Sequence, residues 1–166
     1  MQAEKHGFKP TNHLIHVSIG AQRMHVFSGE ALIHTYTVST SRRAPSCLRD
    51  SAGTPDGLHR VAEKIGDAEP LGTVFKGRAP TGRFYWELEE DNLITTRILW
   101  LEGLQAGHNR GGDRDSRRRY IYIHGTNRED RLGSPQSGGC VNLSNTDILE
   151  LFQTVPAGTL VWIDLE

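Results

Sequence analysis

Two glycines directly precede a cysteine in the run Ser137–Asn142, which reads Ser-Gly-Gly-Cys-Val-Asn. Glycines allow neighbouring backbone N–H groups to converge on a small anion, which is the geometry that an oxyanion hole needs beside a nucleophile. A thiol attacks as its thiolate, so Cys140 requires a proton acceptor or a cation nearby. The run therefore predicts nucleophilic catalysis by Cys140 if the fold supplies a base.

That base must come from upstream of the cysteine, because the chain contains no Lys, Arg or His after Arg131. His124 is the nearest histidine in the sequence, and the segment Gly125–Gly139 is long enough to bring its imidazole beside Cys140. Arg119 leads into the same strand and is a candidate anchor for a substrate carboxylate. The sequence thus predicts a Cys–His pair that titrates as a coupled pair, with a thiolate formed well below the usual thiol pKa of about 8.5.

The residues before His124 alternate in the way that a strand requires. In Tyr120–His124 the two isoleucines are expected to pack into the core, while Tyr120, Tyr122 and His124 share the opposite face. This pattern places His124 at a strand end, on an aromatic-lined face.

The rest of the chain favours strands over helices. A short helix is predicted from Ser144, where a Ser-x-x-Asp capping pattern precedes an apolar stripe that Pro156 ends. Strands are predicted at 14–19, 24–27, 31–38, 73–76, 83–88, 93–100 and 159–165, and irregular stretches at 39–60 and 102–119. The sequence predicts a mainly β, β-rich α+β fold, a β-sandwich or open barrel with one or two short helices.

Length and composition exclude several classes of protein. With 166 residues, 36% of them hydrophobic and 23% charged, and a formal charge of -1, the chain is expected to form one domain over residues 1–166. It is neither disordered nor a polycation that binds nucleic acid. No stretch approaches the roughly 18 apolar residues of a membrane span. The first residues lack the apolar core of a secretory signal, so a cytoplasmic location is expected, or a periplasmic one if a signal has been removed.

No cofactor and no metal site are predicted. The two cysteines, Cys47 and Cys140, form no C-x-x-C pair, and the histidines form neither an H-E-x-x-H motif nor a Cys/His cluster in the sequence. Cys47 lies in a Ser/Arg/Pro-rich segment without neighbouring glycines and is interpreted as incidental.

Two ordered motifs resemble the signature of the YkuD-type L,D-transpeptidases. They are Ile123-His124-Gly125-Thr126 and the run Ser137–Asn142, and shorter matches extend over about the whole chain. These shorter matches are at 38–40, 54–57, 63–66, 97–101 and in the helix from Asp147 with its closing strand. The resemblance implies the fold and the chemistry of that family.

The resemblance also implies a role for each residue of the site. Cys140 is the nucleophile, His124 is the general base, and the carbonyl of Gly125 orients the imidazole. The amides of Gly138, Gly139 and Cys140 hold the oxyanion. The residues assigned to substrate binding are Ser137, Asn142, Tyr122, Thr126 and Arg119. Many members of the family carry His where this chain has Gly138, so a second imidazole beside the thiol is missing here.

The implied reaction is acyl transfer on peptidoglycan stem tetrapeptides, at the bond between L-diaminopimelate and D-Ala. If water attacks the acyl-enzyme, the protein is an L,D-carboxypeptidase that releases the terminal D-Ala of muropeptides in cell-wall recycling, and the expected cytoplasmic location favours this outcome. If an amine attacks, it is an L,D-transpeptidase that forms cross-links or attaches proteins to peptidoglycan. The resemblance also implies that β-lactams of the carbapenem type are covalent inhibitors.

Two other interpretations stay open at this point. A stem-peptide-binding module without catalysis is suggested by the missing His at Gly138, although Cys140 and His124 are intact. A sortase-like transpeptidase is also a β-rich Cys–His enzyme, but its chemistry calls for an Arg after the cysteine, and none follows Arg131.

Overall fold

Ten strands are hydrogen-bonded into one curled sheet in the computed structural model, which describes residues 11–166. The strands are β1 (His13–Ser18), β2 (Arg23–Ser28), β3 (Ala31–Thr37), β4 (Gly57–Ile65), β5 (Thr73–Lys76), β6 (Ala79–Phe84), β7 (Ile94–Gly103), β8 (Tyr122–Gly125), β9 (Val141–Leu143) and β10 (Leu160–Asp164). Helix α1 spans Asn145–Thr154, and short 3-10 turns lie at Tyr85–Glu87, Gly112–Arg114 and Glu129–Arg131. The strand-rich half-barrel, with one α helix among residues 11–166, confirms the predicted fold class. No helix among the described residues is long and apolar enough to cross a membrane.

The order of the strands brings the two predicted catalytic segments together. Along the sheet the order is β3-β2-β1-β10-β4-β7-β5-β6, and β8 pairs with β7 while β9 pairs with β8. Two pairings are parallel, β1 with β10 and β8 with β9. In the second of these, His124 lies directly across from Asn142 and Ile123 across from Val141. The predicted base and the residue after the predicted nucleophile are therefore on adjacent strands.

Helix α1 covers the same part of the sheet. Its residues Ile148 and Leu151 are fully buried and pack in one cluster with Ile123 and Val141. The helix begins as predicted, because the N–H of Asp147 donates to Ser144 Oγ at 3.1 Å. Packing of this apolar stripe against the sheet holds β8 and β9 in position.

A bulge in β7 lies opposite the end of β8, and the side chain of Asn145 holds it there. The register of β7 against β8 shifts between Thr95 and Ile98. Thr95 Oγ1 donates to Asn145 Oδ1 at 2.6 Å, and the hydroxyl of Thr96 donates to the same oxygen. Asn145 Nδ2 donates in turn to the carbonyl of Thr126 at 2.9 Å. One buried amide thus connects the start of α1, the bulge and the end of β8.

The predicted strands differ from the structure at several places, among them β4, β6, the unpredicted β9 and the residue before Ile121. Gly57–Ile65 forms strand β4, although its first residues fall in the predicted irregular stretch. The strand predicted at 83–88 ends at Phe84, where a 3-10 turn begins. Tyr120 does not share a face with Tyr122 and His124, because its φ of 58° places it in a turn, where it is 54% exposed.

Replacing Asn145 with Ala is expected to lower the free energy of unfolding by about 2–3 kcal/mol, because the buried hydroxyls of Thr95 and Thr96 lose their acceptor. Ser144→Ala removes only the helix cap at the adjacent position and is expected to cost about 1 kcal/mol. Urea unfolding of both variants at unchanged m-value measures the difference. Equal losses in the two variants would contradict the role given to the Asn145 amide.

Candidate active site

The thiol of Cys140 lies at the start of β9, against the backbone that leads into β8. Its sulfur accepts the N–H of Tyr122 at 3.3 Å, and the S–H donates to the carbonyl of Tyr120 at 3.5 Å. Cys140 is only partly buried. Tyr120 has a φ of 58°, so the acceptor for the thiol lies in the turn that interrupts the predicted strand.

The imidazole of His124 is buried and held in one tautomer. His124 is 5% exposed, and its Nδ1 lies 2.6 Å from the carbonyl oxygen of Gly125. A carbonyl oxygen only accepts, so Nδ1 carries the proton and donates it to Gly125. The Nε2 atom therefore keeps its lone pair, which is the form that a general base requires.

Two cavities meet at Cys140. The smaller has a volume of about 210 Å³ and is lined by Asn92, Ile94, His124, Ser137, Gly138, Cys140 and Asn142. The larger has a volume of about 380 Å³ and is lined by Arg49, Asp50, Ala52, Arg118, Arg119, Tyr120, Ile121, Gly138 and Cys140. The thiol thus faces a base on one side and a cationic wall on the other.

Both members of the Cys–His pair are uncharged near neutral pH. Burial raises the pKa of the Cys140 thiol to about 11, although the Tyr122 amide and the Arg119 guanidinium act in the opposite direction. Burial likewise lowers the pKa of His124 to about 4, against the effect of the Gly125 carbonyl. The sequence-based expectation of a thiolate formed well below the usual thiol pKa of about 8.5 is therefore wrong. For both groups the loss of hydration, which disfavours the charged form, outweighs the contacts that would stabilise that form.

The glycine turn before Cys140 is built around the hydroxyl of Ser137. Ser137 Oγ donates to the carbonyl of Cys140 at 2.6 Å and accepts the N–H of Gly139 at 3.2 Å. Gly139 has a φ of +133°, a conformation that favours glycine, and its carbonyl accepts the hydroxyl of Thr54 at 3.0 Å. The amides of Gly138 and Cys140 meet no acceptor among the described residues. Of the three amides assigned to the oxyanion, that of Gly139 is thus already engaged within the turn.

Asn142 presents an unsatisfied oxygen beside the base. The residue is 2% exposed and lines the smaller cavity, and its Oδ1 has no hydrogen-bond partner within residues 11–166. A buried polar atom without a partner costs free energy unless a ligand or water satisfies it. Its position supports the substrate contact that the resemblance implies.

Arg119 holds the wall of the larger cavity in place. Its guanidinium donates to the carbonyls of Ser46 at 3.1 Å and Gly53 at 2.7 Å, and to Ser51 Oγ at 3.3 Å. These bonds use much of the donor capacity that the predicted carboxylate anchor requires. Arg119 is a positioning residue whose charge stays next to Cys140.

Tyr122 and Thr126, also assigned to substrate binding, line neither cavity. The hydroxyl of Tyr122 accepts from Arg78 at 3.1 Å, and its contact with the thiol is made by its backbone N–H. Thr126 is 1% exposed, and its hydroxyl accepts the N–H of Arg128. These side chains already have partners inside the fold, and their assignment to substrate binding stays a prediction.

Other residues enter the site without having been singled out in the sequence. Asn92 and Ile94 line the smaller cavity, and Thr54 fixes the glycine turn. The Thr54 position falls in one of the shorter matches of the sequence, at 54–57, which was the signal available for it. Asn92 and Ile94 carry no such signal, because they lie far from His124 and Cys140 in the sequence and join them at the cavity only in the folded chain.

The known proteins that are similar to this chain in sequence or in structure include L,D-transpeptidases. YqjB of Bacillus subtilis (strain 168), a candidate L,D-transpeptidase, is 52% identical over 44 residues, which are 26% of this chain and 25% of YqjB. The aligned segment therefore spans about a quarter of that relative.

Two solved structures share the fold. The complex of LdtMt1, an L,D-transpeptidase, with imipenem has a TM-score of 0.55 and 17% identity, over 92% of this chain and 58% of that one. L,D-transpeptidase 3 from Mycobacterium tuberculosis, with a faropenem-derived adduct, has a TM-score of 0.57 and 14% identity, over 92% and 60%. This chain thus spans less than two thirds of either.

The family model of YkuD, the L,D-transpeptidase catalytic domain, matches residues 12–163. This range contains both cavities, the glycine turn and the two strands that carry His124 and Cys140. The chain therefore belongs to the YkuD family of L,D-transpeptidase catalytic domains.

Proposed function

We propose that this protein is a cysteine-dependent L,D-carboxypeptidase, which hydrolyses the bond between L-diaminopimelate and the terminal D-Ala of muropeptide stems. The observation that carries the proposal is the position of Cys140 between a small cavity containing a neutral imidazole and a larger cavity with a cationic wall. In the recycling role proposed here the enzyme works in the cytoplasm, which cell fractionation tests.

Acylation starts from a neutral pair. As Cys140 Sγ attacks the scissile carbonyl, Nε2 of His124 takes the thiol proton, so that no free thiolate has to form first. The oxyanion accepts the amides of Gly138 and Cys140, which have no other acceptor among the described residues. When the C–N bond breaks, His124 returns the proton to the amine of D-Ala, and the peptide stays on Cys140 as a thioester.

The cationic wall favours a substrate that ends in a carboxylate. Arg49, Arg118 and Arg119 line the larger cavity next to the thiol. A terminal D-Ala carries its carboxylate one carbon away from the scissile amide, within reach of such a wall. Charge-assisted hydrogen bonds to guanidinium groups are among the strongest that a protein makes.

The size of the smaller cavity favours water as the second nucleophile. About 210 Å³ is below the roughly 300 Å³ at which pockets for small molecules begin. A water molecule beside His124 Nε2 fits this volume and can lose its proton to the same base that served acylation. Attack of that water on the thioester regenerates Cys140 and completes hydrolysis.

L,D-transpeptidation is the second candidate, and one observation favours it. Because cavities open on both sides of Cys140, a donor stem and an acceptor amine can approach the thioester from different directions. The product would be a cross-link or a protein attached to peptidoglycan. In either reaction, carbapenem-type β-lactams are proposed to acylate Cys140, as the imipenem complex of a relative suggests.

Disaccharide-tetrapeptide incubated with the protein is expected to yield tripeptide and free D-Ala, with little product of higher mass when acceptor amine is abundant. Mass spectrometry measures both products. Cys140→Ala and His124→Ala are expected to abolish turnover, whereas His34→Ala, a half-buried histidine on β3, is expected to keep it. A stem ending in L-Ala should react poorly, because the inverted centre misplaces its carboxylate.

Mainly dimeric products would favour transpeptidation over the carboxypeptidase. Residual turnover in Cys140→Ala would contradict the nucleophile itself, and with it both candidate functions.

The pH dependence separates a neutral pair from a preformed ion pair. With a thiol pKa of about 11, alkylation of Cys140 is expected to rise roughly tenfold per pH unit from pH 6 to pH 10 without a plateau. Turnover should fall on the acid side only near pH 4, where His124 becomes protonated and can no longer accept a proton. Peptide mapping distinguishes Cys140 from Cys47. A plateau of alkylation near neutral pH would show that the thiolate already exists.

Gly138 and Gly139 are expected to respond differently to the same substitution. A Cβ at Gly138 meets nothing within 4 Å, so Gly138→Ala should change the free energy of unfolding by less than about 1 kcal/mol. At Gly139 the φ of +133° strains any other residue, and Gly139→Ala is expected to cost about 1–3 kcal/mol and to displace the Cys140 amide. Thermal unfolding and turnover of both variants test this. Equal changes in thermal stability and in turnover in the two variants would show that the backbone conformation of Gly139 is not required.

A further inference from the structure

Away from the catalytic thiol, the second cysteine lies in a cluster of three side chains that can bind a metal. Cys47 belongs to the segment between β3 and β4, Asp56 is the last residue before β4, and His108 lies in the segment after β7. His108 Nε2 is 3.0 Å from Asp56 Oδ1, and Cys47 Sγ is 3.4 Å from the same oxygen and 3.7 Å from His108 Nε2. The catalytic mechanism uses none of these atoms.

We propose that Cys47, Asp56 and His108 form a Zn²⁺ site. In a tetrahedral zinc site with ordinary bond lengths, the S, N and O ligand atoms lie roughly 3.3–3.6 Å from one another. The three distances observed here fall within about 0.3 Å of that range. A thiolate, an imidazole and a carboxylate are also the three side-chain ligands that zinc takes in proteins.

In the absence of a metal, His108 Nε2 and the Cys47 thiol can both donate hydrogen bonds to Asp56 Oδ1, which leaves the contact between the imidazole and the thiol without a hydrogen bond. The Nε2 atom of an imidazole has either one proton or one lone pair, yet it faces both Cys47 Sγ and Asp56 Oδ1. A cation between the three atoms is contacted by all of them at once. Binding would displace the thiol proton to solvent.

Hydrogen bonds and close packing hold the backbone next to Asp56 and His108 in place. The fully buried Asn109 donates from Nδ2 to the carbonyl of Asp56 at 3.2 Å and to that of Leu58 at 3.1 Å. Gly57 has a φ of +98°, and a Cβ there would lie 3.1 Å from His108 Cδ2 and collide with the Gln105 side chain. Such supporting contacts fix the direction of ligands and raise metal affinity.

The cluster is closed on one side and open on the other. Cys47 is 4% exposed, whereas the side chains of Asp56 and His108 are 31% and 43% exposed. A water molecule can therefore reach the fourth position, which gives three protein ligands and an open site.

A metal here would join the two segments that form the larger catalytic cavity. Arg49 and Asp50 on that cavity's wall follow Cys47 by a few residues, and Arg119 lies on the segment that also contains His108. Arg119 already donates to Ser46 and Gly53 across this boundary. Zinc would add a second connection beside the hydrogen bonds of the guanidinium.

The test is titration of the chelator-treated full chain with Zn²⁺ by calorimetry and with Co²⁺ by absorption spectroscopy. One equivalent of each metal is expected to bind, and Co²⁺ should give a thiolate charge-transfer band that persists in Cys140→Ala. Cys47→Ser and His108→Ala should each weaken Zn²⁺ binding by at least about 100-fold. His34→Ala is the matched control, because His34 Nδ1 also contacts a carboxylate, Glu150 at 3.1 Å, but no thiol.

Several results would overturn the site. They are the absence of stoichiometric binding at micromolar metal, binding unchanged in both His108→Ala and Asp56→Asn, or a charge-transfer band that disappears in Cys140→Ala. His108 and Asp56 are partly exposed, so their variants decide the question even if Cys47→Ser does not fold. None of these measurements uses turnover, so the proposed hydrolysis can fail without affecting them.

Discussion

The parallel pairing of two short strands, β8 and β9, determines the rest of the site. It spans three residue pairs, and it puts His124 across from Asn142 and one strand away from Cys140. Three residues are too few to hold a parallel pair in water. The pairing persists because α1 buries the rear of both strands and because the Asn145 amide connects the β7 bulge to the end of β8. The catalytic geometry is thus supported by core packing rather than by contacts within the site.

The same burial determines the chemistry. The packing that stabilises the fold through apolar contact also buries the imidazole of His124 and partly buries the Cys140 thiol, which reduces their hydration. Both groups stay neutral as a result, with the pKa of Cys140 raised and that of His124 lowered. In the proposed mechanism the proton therefore moves as the thiol attacks, and the tautomer fixed by the Gly125 carbonyl leaves Nε2 free to accept it.

The sequence predicted the local features and missed those that depend on distant partners. Cys140, His124 and the helix after Ser144 were identified because their patterns lie within a few neighbouring residues. Strand β4 was assigned partly to a loop, because two of its buried residues are polar, and each finds its partner elsewhere. His59 contacts Ser116 Oγ at 2.9 Å, and Arg60 donates to Glu102.

The engagement of the Gly139 amide by Ser137, and the meeting of Cys47 with His108, likewise could not be predicted. The first depends on the φ angle of one residue in a turn, and the second joins segments that lie 61 positions apart in the sequence. Local pattern carries no information about either. A motif can identify the residues of a site. Which of their hydrogen-bonding groups are already engaged can be seen only in the folded structure.

The place of β10 in the sheet has a consequence for synthesis. This last strand lies between β1 and β4, so residues near the two ends of the described chain are direct neighbours. During translation β1 emerges early but waits for residues 160–164 before it gains its parallel partner. Until then β1 and β4 each have one side without a partner strand, and that side can pair with another nascent chain. The segments that carry His124 and Cys140 are already made by that time, so the candidate site is translated before the strand that completes the sheet around it.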